Sequence, residues 1–181
     1  MPLPEFKYHK KPLTSGVFIE SEDECSVCGM KNKYRYDGPI FSEEEIESAI
    51  CPECIKNGKA REKFQLEFVD RRSIGDNGRW ENVGEEIKDI ICFNTPGFYG
   101  YQHEKWWTHC KDAAVFLGSF NGYELKGQVL DDMENLLLKD GDLTRNNARK
   151  LILKCNNDSG PYLFLFQCLK CDVFGGYVDY D

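Results

Sequence analysis

Two short cysteine pairs decide the fold of this chain: Cys25-Ser-Val-Cys28, followed by Gly29, and Cys51-Pro-Glu-Cys54. Two residues between two thiolates allow one tight turn to aim both sulfurs at an ion about 2.3 Å away. Residues 29–50 are long enough to fold back on that ion. The four thiolates of Cys25, Cys28, Cys51 and Cys54 therefore predict a closed structural zinc site.

The same cysteines could also serve without a metal, in one of two ways. Free cysteine is often a small buried core residue, and a redox dithiol requires a lowered pKa together with solvent access. The spacing of both pairs favours zinc over a core role and over a redox role.

A third pair, Cys168-Leu-Lys-Cys171, lacks two ligands for a complete site. The candidates to complete it are Cys110, His109 and His103. Residues 101–118 are predicted as a helix, on which the adjacent His109 and Cys110 project about 100° apart. We therefore expect one of these two residues, rather than both, to join the tentative second site.

The third pair also has alternatives that the sequence leaves open. It is either a buried core pair or a partner of Cys25 and Cys28, because those four cysteines also make a complete ligand set. The isolated Cys92 and Cys155 are predicted to be core residues.

Composition limits the class of protein. The chain has 181 residues, with 23 Lys and Arg against 31 Asp and Glu, and a net charge of −8. The length suits one domain with a small appended module. The acidic excess argues against non-specific binding to nucleic acid or anionic membranes and is compatible with a basic protein partner.

The sequence also predicts the compartment. Residues 1–9 show no cationic start followed by an apolar stretch, and no apolar run approaches the roughly 20 residues that a membrane span requires. We therefore expect a cytoplasmic protein with reduced cysteines. The odd count of nine cysteines argues against a closed disulfide framework.

Periodicity and turn residues predict the remaining elements. Helices are predicted from Ser42 to the residue before Cys51, and over 55–64, 83–93, 101–118 and 128–139. Residues 143–154 are ambiguous. Strands are predicted over 33–36, 64–68, 162–168 and 173–180, with a loop at 70–82.

Together these elements predict an α+β protein. A zinc-ribbon-like module of residues 1–68 packs on a helical segment, about residues 83–155, and a C-terminal β-hairpin completes the sheet. Residues 69–181 form an α+β segment that makes one compact domain with the module. The pair Trp106-Trp107 is either an interface anchor or core, and core packing is favoured.

Catalytic motifs are weak. His103, Glu104 and His109 do not match His-Glu-x-x-His, because the two histidines are six residues apart. A metal-dependent hydrolase built on His103, His109 and Cys110 remains an alternative that requires an open coordination position. A further alternative, a nucleic-acid-binding zinc ribbon, would use the basic cluster Lys56, Lys59, Arg61 and Lys63, and the net charge disfavours it.

Several motifs occur in an order that resembles a known family. They include Leu3-Pro-x-Phe-x-Tyr-His9, Thr95-Pro-Gly97, Trp106-x-x-His-Cys-x-Asp112 and Phe166-x-Cys-x-x-Cys171. They resemble the CbrC family, also called UPF0167, of bacterial proteins associated with tolerance of a colicin-type toxin. Asp172 stands where the family pattern has glycine, which argues against a regular zinc knuckle there.

The resemblance implies a cytoplasmic bacterial protein with bound metal. The leading hypothesis is a non-enzymatic, zinc-stabilised binding protein that acts in toxin tolerance or immunity. Its partner would be a basic toxin domain, which the acidic chain would attract electrostatically.

Overall fold

The computed structural model describes residues 3–46, 49–141 and 143–180. Its strands are β1 (Phe18–Glu20), β2 (Tyr34–Tyr36), β3 (Thr108–His109), β4 (Asp112–Ala113), β5 (Val115–Phe120), β6 (Tyr162–Gln167) and β7 (Phe174–Asp179). Its helices are α1 (Pro52–Lys56), α2 (Lys59–Phe64), α3 (Glu85–Asn94), α4 (Gln128–Asp140) and α5 (Arg145–Lys154). This mixture of helices and small antiparallel sheets confirms the α+β prediction.

The antiparallel sheet β5-β6-β7 separates two apolar cores. Side chains alternate along β6 because successive residues of a strand face opposite sides of the sheet. Leu163 and Leu165 pack with α4 and α5, whereas Phe164 and Phe166 pack into the larger core on the other face. Strand β6 is therefore buried on both faces, which explains its continuous apolar run.

One buried carboxylate joins the two helices that cover the sheet. Glu134 of α4 is 1% exposed and pairs with Arg145 of α5 at 3.1 Å and with Arg149 at 3.6 Å. A buried charge is tolerated only when it is paired, so these ion pairs fix the position of α5 against α4.

The larger core is aromatic. Trp106 is fully buried against Phe98, Phe116 and Phe166, and its indole N–H donates to the Ala114 carbonyl at 3.0 Å. Trp107 is 2% exposed. The preference for core packing of this tryptophan pair is confirmed.

Most predicted elements occur close to their predicted positions. The helices over 83–93 and 128–139 and the strands over 33–36, 162–168 and 173–180 are confirmed, and the ambiguous segment 143–154 contains a helix. The helix predicted over 55–64 is divided at Gly58, whose φ of 78° ends α1.

The helix predicted over 101–118 is wrong. This segment forms the hairpin β3-β4 and the start of β5. Gly118, expected as a helix cap, lies at a register shift in the pairing of β5 with β6. Aromatic and β-branched residues favour strands, and the burial of Trp106 and Trp107 in the sheet core outweighs the helical spacing of their neighbours.

The predictions around residues 42–50 and 64–68 are also wrong. No helix occurs among residues 42–46 or 49–50, and Glu47 and Ser48 lie outside the described residues. In place of a strand at 64–68, Phe41 and Glu67 exchange two backbone hydrogen bonds, each of 2.8 Å, as an isolated bridge. This bridge satisfies the backbone N–H and carbonyl groups of Phe41 and Glu67 without a regular strand.

The N-terminal arm is held by a buried histidine. His9 is 1% exposed, and its Nδ1 lies 2.9 Å from the Pro96 carbonyl. Because a carbonyl only accepts, Nδ1 carries the proton, and Nε2 lies 2.9 Å from the Ser15 hydroxyl oxygen. Burial lowers the pKa of His9 to about 4.

This burial predicts a loss of stability in acid. The pKa of His9 is lower in the folded chain than in the unfolded chain, so its contribution is present above pH 6.5 and is lost as pH falls from about 6.5 towards 4. The loss amounts to about 3 kcal/mol. Chemical denaturation of the natural protein and of His9→Asn across this range measures it. An equally steep decline in both proteins would contradict the prediction, because thiolate protonation affects both alike.

Candidate metal centres

Two groups of potential ligands assemble among the described residues. The first site consists of Cys25, Cys28, Cys51 and Cys54, and the second site consists of His109, Cys110, Cys168 and Cys171. Within each group the four ligand atoms lie within 4.8 Å of one another. Both groups could hold a metal ion.

Two local structures build the first site. Cys25 begins a tight turn in which the Gly29 N–H donates to the Cys25 carbonyl at 2.7 Å, and Gly29 takes a φ of 70° that favours glycine. Cys51 caps α1, with Pro52 at its first helical position. The Cys54 N–H donates back to the Cys51 carbonyl at 3.1 Å, which brings the second pair of sulfurs together.

The sulfur spacing of the first site suits tetrahedral coordination. The Sγ atoms of Cys25 and Cys54 are 3.8 Å apart, and those of Cys28 and Cys51 are 4.0 Å apart. A tetrahedron with metal–sulfur bonds of about 2.3 Å places its sulfurs about 3.8 Å apart. Cys28 alone of the four is exposed, so this group is almost fully enclosed by protein.

The electrostatics of the first site favour a bound cation. Burial acts to raise the pKa of Cys25, but the backbone N–H groups of Cys28, Cys51 and Val27 lower it to about 7. Burial raises the pKa of Cys51 to about 11 and raises that of Cys54 further. Four thiolates this close repel one another, whereas a divalent cation stabilises all of them as thiolates.

A two-residue hairpin loop supplies half of the second site. Strands β3 and β4 pair Thr108 with Ala113 and His109 with Asp112, so that Cys110 and Lys111 form the loop. These two loop residues have φ values of 54° and 55°. Positive φ at both central residues is the conformation that tight hairpins require.

The turn after β6 supplies the other half. Cys168 and Val173 are joined by a backbone hydrogen bond of 2.9 Å, and the Asp172 N–H donates to the Cys168 carbonyl at 3.2 Å. Asp172 has a φ of 58°, so it adopts the left-handed conformation expected of glycine. Asp172 therefore does not prevent the knuckle turn.

The ligand atoms of the second site are also spaced for a tetrahedron. Nδ1 of His109 lies 3.4 Å from Sγ of Cys110 and 3.4 Å from Sγ of Cys171, and these two sulfurs are 3.7 Å apart. Zinc bonded to nitrogen and sulfur at usual lengths places them about 3.5 Å apart. The indole of Trp107 stacks on the His109 ring, with centroids 5.1 Å apart, and orients it.

The thiols of Cys110 and Cys171 influence each other. The thiol of Cys171 raises the pKa of Cys110 to about 11, whereas the Val173 N–H lowers the pKa of Cys171. Lys170 joins the turn after β6 to the β3-β4 loop, because its ammonium donates to the Cys110 carbonyl at 2.9 Å.

The structure separates the sequence-based alternatives. His109 and Cys110 both lie beside the third pair, because a tight turn replaces the predicted helix that would have pointed them about 100° apart. His103 is exposed and belongs to neither group. Cys168 and Cys171 do not assemble with Cys25 and Cys28, and the isolated Cys92 and Cys155 are buried.

Glu81 also contacts the second site, and the sequence does not predict this contact. Both carboxylate oxygens of Glu81 accept backbone N–H groups, from Cys110 at 3.1 Å and from Lys111 at 2.9 Å. These two N–H groups lower the pKa of Glu81. No sequence motif links Glu81 to residues about thirty positions later, so only the folded chain shows the contact.

The predicted basic cluster has structural contacts. Lys56 donates to the Glu5 carbonyl at 2.5 Å, Lys63 donates to the Ser26 carbonyl at 2.6 Å, and the guanidinium of Arg61 lies 3.3 Å from the ring centroid of Phe93. These side chains pack against their own chain, which weakens the nucleic-acid alternative.

Comparison with known sequences matches this chain to a family. The family model described as "Uncharacterised protein family (UPF0167)" matches residues 3–180. This chain belongs to the UPF0167 family. A UPF0167 protein of Mycobacterium bovis is 33% identical over 98% of this chain and 94% of its own length. One of Pseudomonas aeruginosa is 32% identical over 99% of this chain and 96% of its own length.

Two further findings concern this UPF0167 protein. No solved structure matches it. Among its described residues, no helix has both the length and the apolar character needed to cross a membrane.

A cysteine of the first site and a buried cysteine outside both sites should respond differently to substitution. Cys54→Ala should remove one metal ion and lower the free energy of unfolding by about 3 kcal/mol or more, because metal binding and folding are linked. Cys92→Ala, at a buried position outside both groups, should cost about 1 kcal/mol and leave the metal content unchanged. Metal analysis and chemical denaturation of both variants test this. Equal metal content in the two variants would contradict it.

Proposed function

We propose that this UPF0167 protein binds two zinc ions in closed, structural sites and acts as a binding protein rather than an enzyme. One observation supports this above the others: eight side-chain donors gather in two groups of four. In each group the measured separations suit a tetrahedron around one ion.

The donors favour zinc over other cations. Thiolate and imidazole ligands are typical of zinc, whereas calcium and magnesium take oxygen ligands. The first site offers four sulfurs, a set that iron also accepts, but the second offers three sulfurs and one nitrogen. Elemental analysis distinguishes zinc from iron.

Closed coordination argues against a metal-dependent hydrolase. A catalytic zinc typically keeps three protein ligands and an open position for water. Here each group provides four side chains that suit a complete tetrahedron. Metal would therefore contribute folding free energy rather than an activated water.

Metal analysis of the purified protein tests the zinc proposal. We expect two zinc ions per chain and a large fall in the melting temperature when a strong chelator removes them. A protein that contains no zinc, or that melts at the same temperature with and without chelator, would contradict the proposal. Two ions with one labile water ligand would instead favour the hydrolase.

For the partner, we propose a basic protein domain of the colicin-toxin type. The net charge of −8 supports attraction of a cationic surface, and the family resemblance supports a connection with toxin tolerance. Toxic nucleases are typically basic where they meet phosphate, so an acidic protein can cover that surface.

Calorimetric titration with isolated colicin-type nuclease domains tests the partner. We expect a complex with at least one domain, weakened as salt rises because its charges are screened. An acidic protein of similar size serves as the control. No heat of binding to any member of a panel at low salt would count against the partner and leave the zinc proposal intact.

A further inference from the structure

Glu81 belongs to neither ligand group, yet it binds the backbone of the second site at two points. Its Oε1 accepts from the Cys110 N–H at 3.1 Å, and its Oε2 accepts from the Lys111 N–H at 2.9 Å. We infer that Glu81 is the positioning residue of the second site. It holds the Cys110–Lys111 loop in the conformation that turns His109 and Cys110 towards one metal ion. This inference rests on the proposed metal binding.

The loop sequence by itself does not favour this conformation. Cys110 and Lys111 have φ values of 54° and 55°, in the left-handed region that residues other than glycine rarely adopt. Tight hairpin loops of this kind usually contain Asn-Gly or Asp-Gly. Glu81 provides the stabilisation that the loop sequence lacks, because one carboxylate accepts both loop N–H groups.

Glu81 lies at the end of a segment, residues 73–81, that is hydrogen-bonded to the residues before the loop. Its carbonyl accepts from the Thr108 hydroxyl at 2.6 Å, and the preceding Trp80 is 8% exposed. Upstream, the Ser73 carbonyl accepts from the Trp106 N–H at 3.1 Å. The segment therefore runs along the chain that leads into β3, and these contacts hold Glu81 beside the loop.

The chemistry of the contact requires a carboxylate. A carboxylate offers two acceptor oxygens, whereas a glutamine amide offers one oxygen and an NH₂ group that only donates. Glu81→Gln therefore removes one acceptor and directs a donor at a loop N–H. Loss of such an outer contact typically weakens metal binding by about 10–100-fold.

Zinc release to an excess of a chromophoric chelator tests the inference on the full-length, zinc-loaded chain. In Glu81→Gln we expect one zinc ion to leave about 10–100-fold faster than in the natural protein, with the other unchanged. Cys171→Ser identifies the phases, because it removes a ligand of the second site only. In that background Glu81→Gln should have no effect. Glu86→Gln, at an exposed glutamate in the first turn of α3, is the matched control.

A glycine substitution separates positioning from general destabilisation. Glycine adopts positive φ without steric cost, so Lys111→Gly should slow zinc release far more in Glu81→Gln than in the natural protein. It should also restore the second zinc ion if Glu81→Gln alone folds poorly. Failure of this rescue would overturn the inference.

The remaining outcomes are also distinguishable. Two zinc ions in Glu81→Gln with natural release rates would overturn the role of Glu81 and leave the proposed function standing. A natural protein that holds no metal at the second site would contradict the proposed function, and the inference would fall with it.

Discussion

The structure depends on bringing four short segments of the chain, spread from residue 25 to residue 171, together at two sites of four potential metal ligands each. The first site joins a tight turn to the start of α1. The second site joins the β3-β4 hairpin to the turn between β6 and β7. Thiolates held this close repel one another unless a cation lies between them, so we propose that metal binding contributes directly to folding.

The two sites differ in how the fold supports them. Three of the four cysteines of the first site are buried. Within each pair, the two sulfurs are brought together by a local turn, which the Cys-x-x-Cys spacing predicts. The second site lies nearer the surface and depends on distant contacts, including the stacking of Trp107 on His109 and the two hydrogen bonds to Glu81. We therefore expect the second site to be the more easily disturbed of the two.

The same difference explains what the sequence could predict. The spacing of Cys25, Cys28, Cys51 and Cys54 is a local property, and these residues do assemble. For the second site, residue type indicated the candidate ligands, but the sequence did not predict the backbone conformation that brings them together. Apolar residues at helical intervals predict a helix through His109. The burial of Trp106 and the contact from Glu81, which accompany the hairpin found instead, cannot be seen in the amino-acid sequence. Asp172 likewise takes a left-handed conformation that residue preference assigns to glycine.

We propose that two zinc ions occupy the two sites, one of four cysteines and one of three cysteines with one histidine. X-ray absorption at the zinc edge measures this ligand set directly on the purified protein. These two ligand sets predict that the atoms bonded to zinc are mostly sulfur at about 2.3 Å, with a minor nitrogen contribution at about 2.0 Å. That nitrogen contribution should disappear in His109→Cys. Zinc ligands rich in oxygen, or the absence of zinc, would contradict both proposed zinc sites.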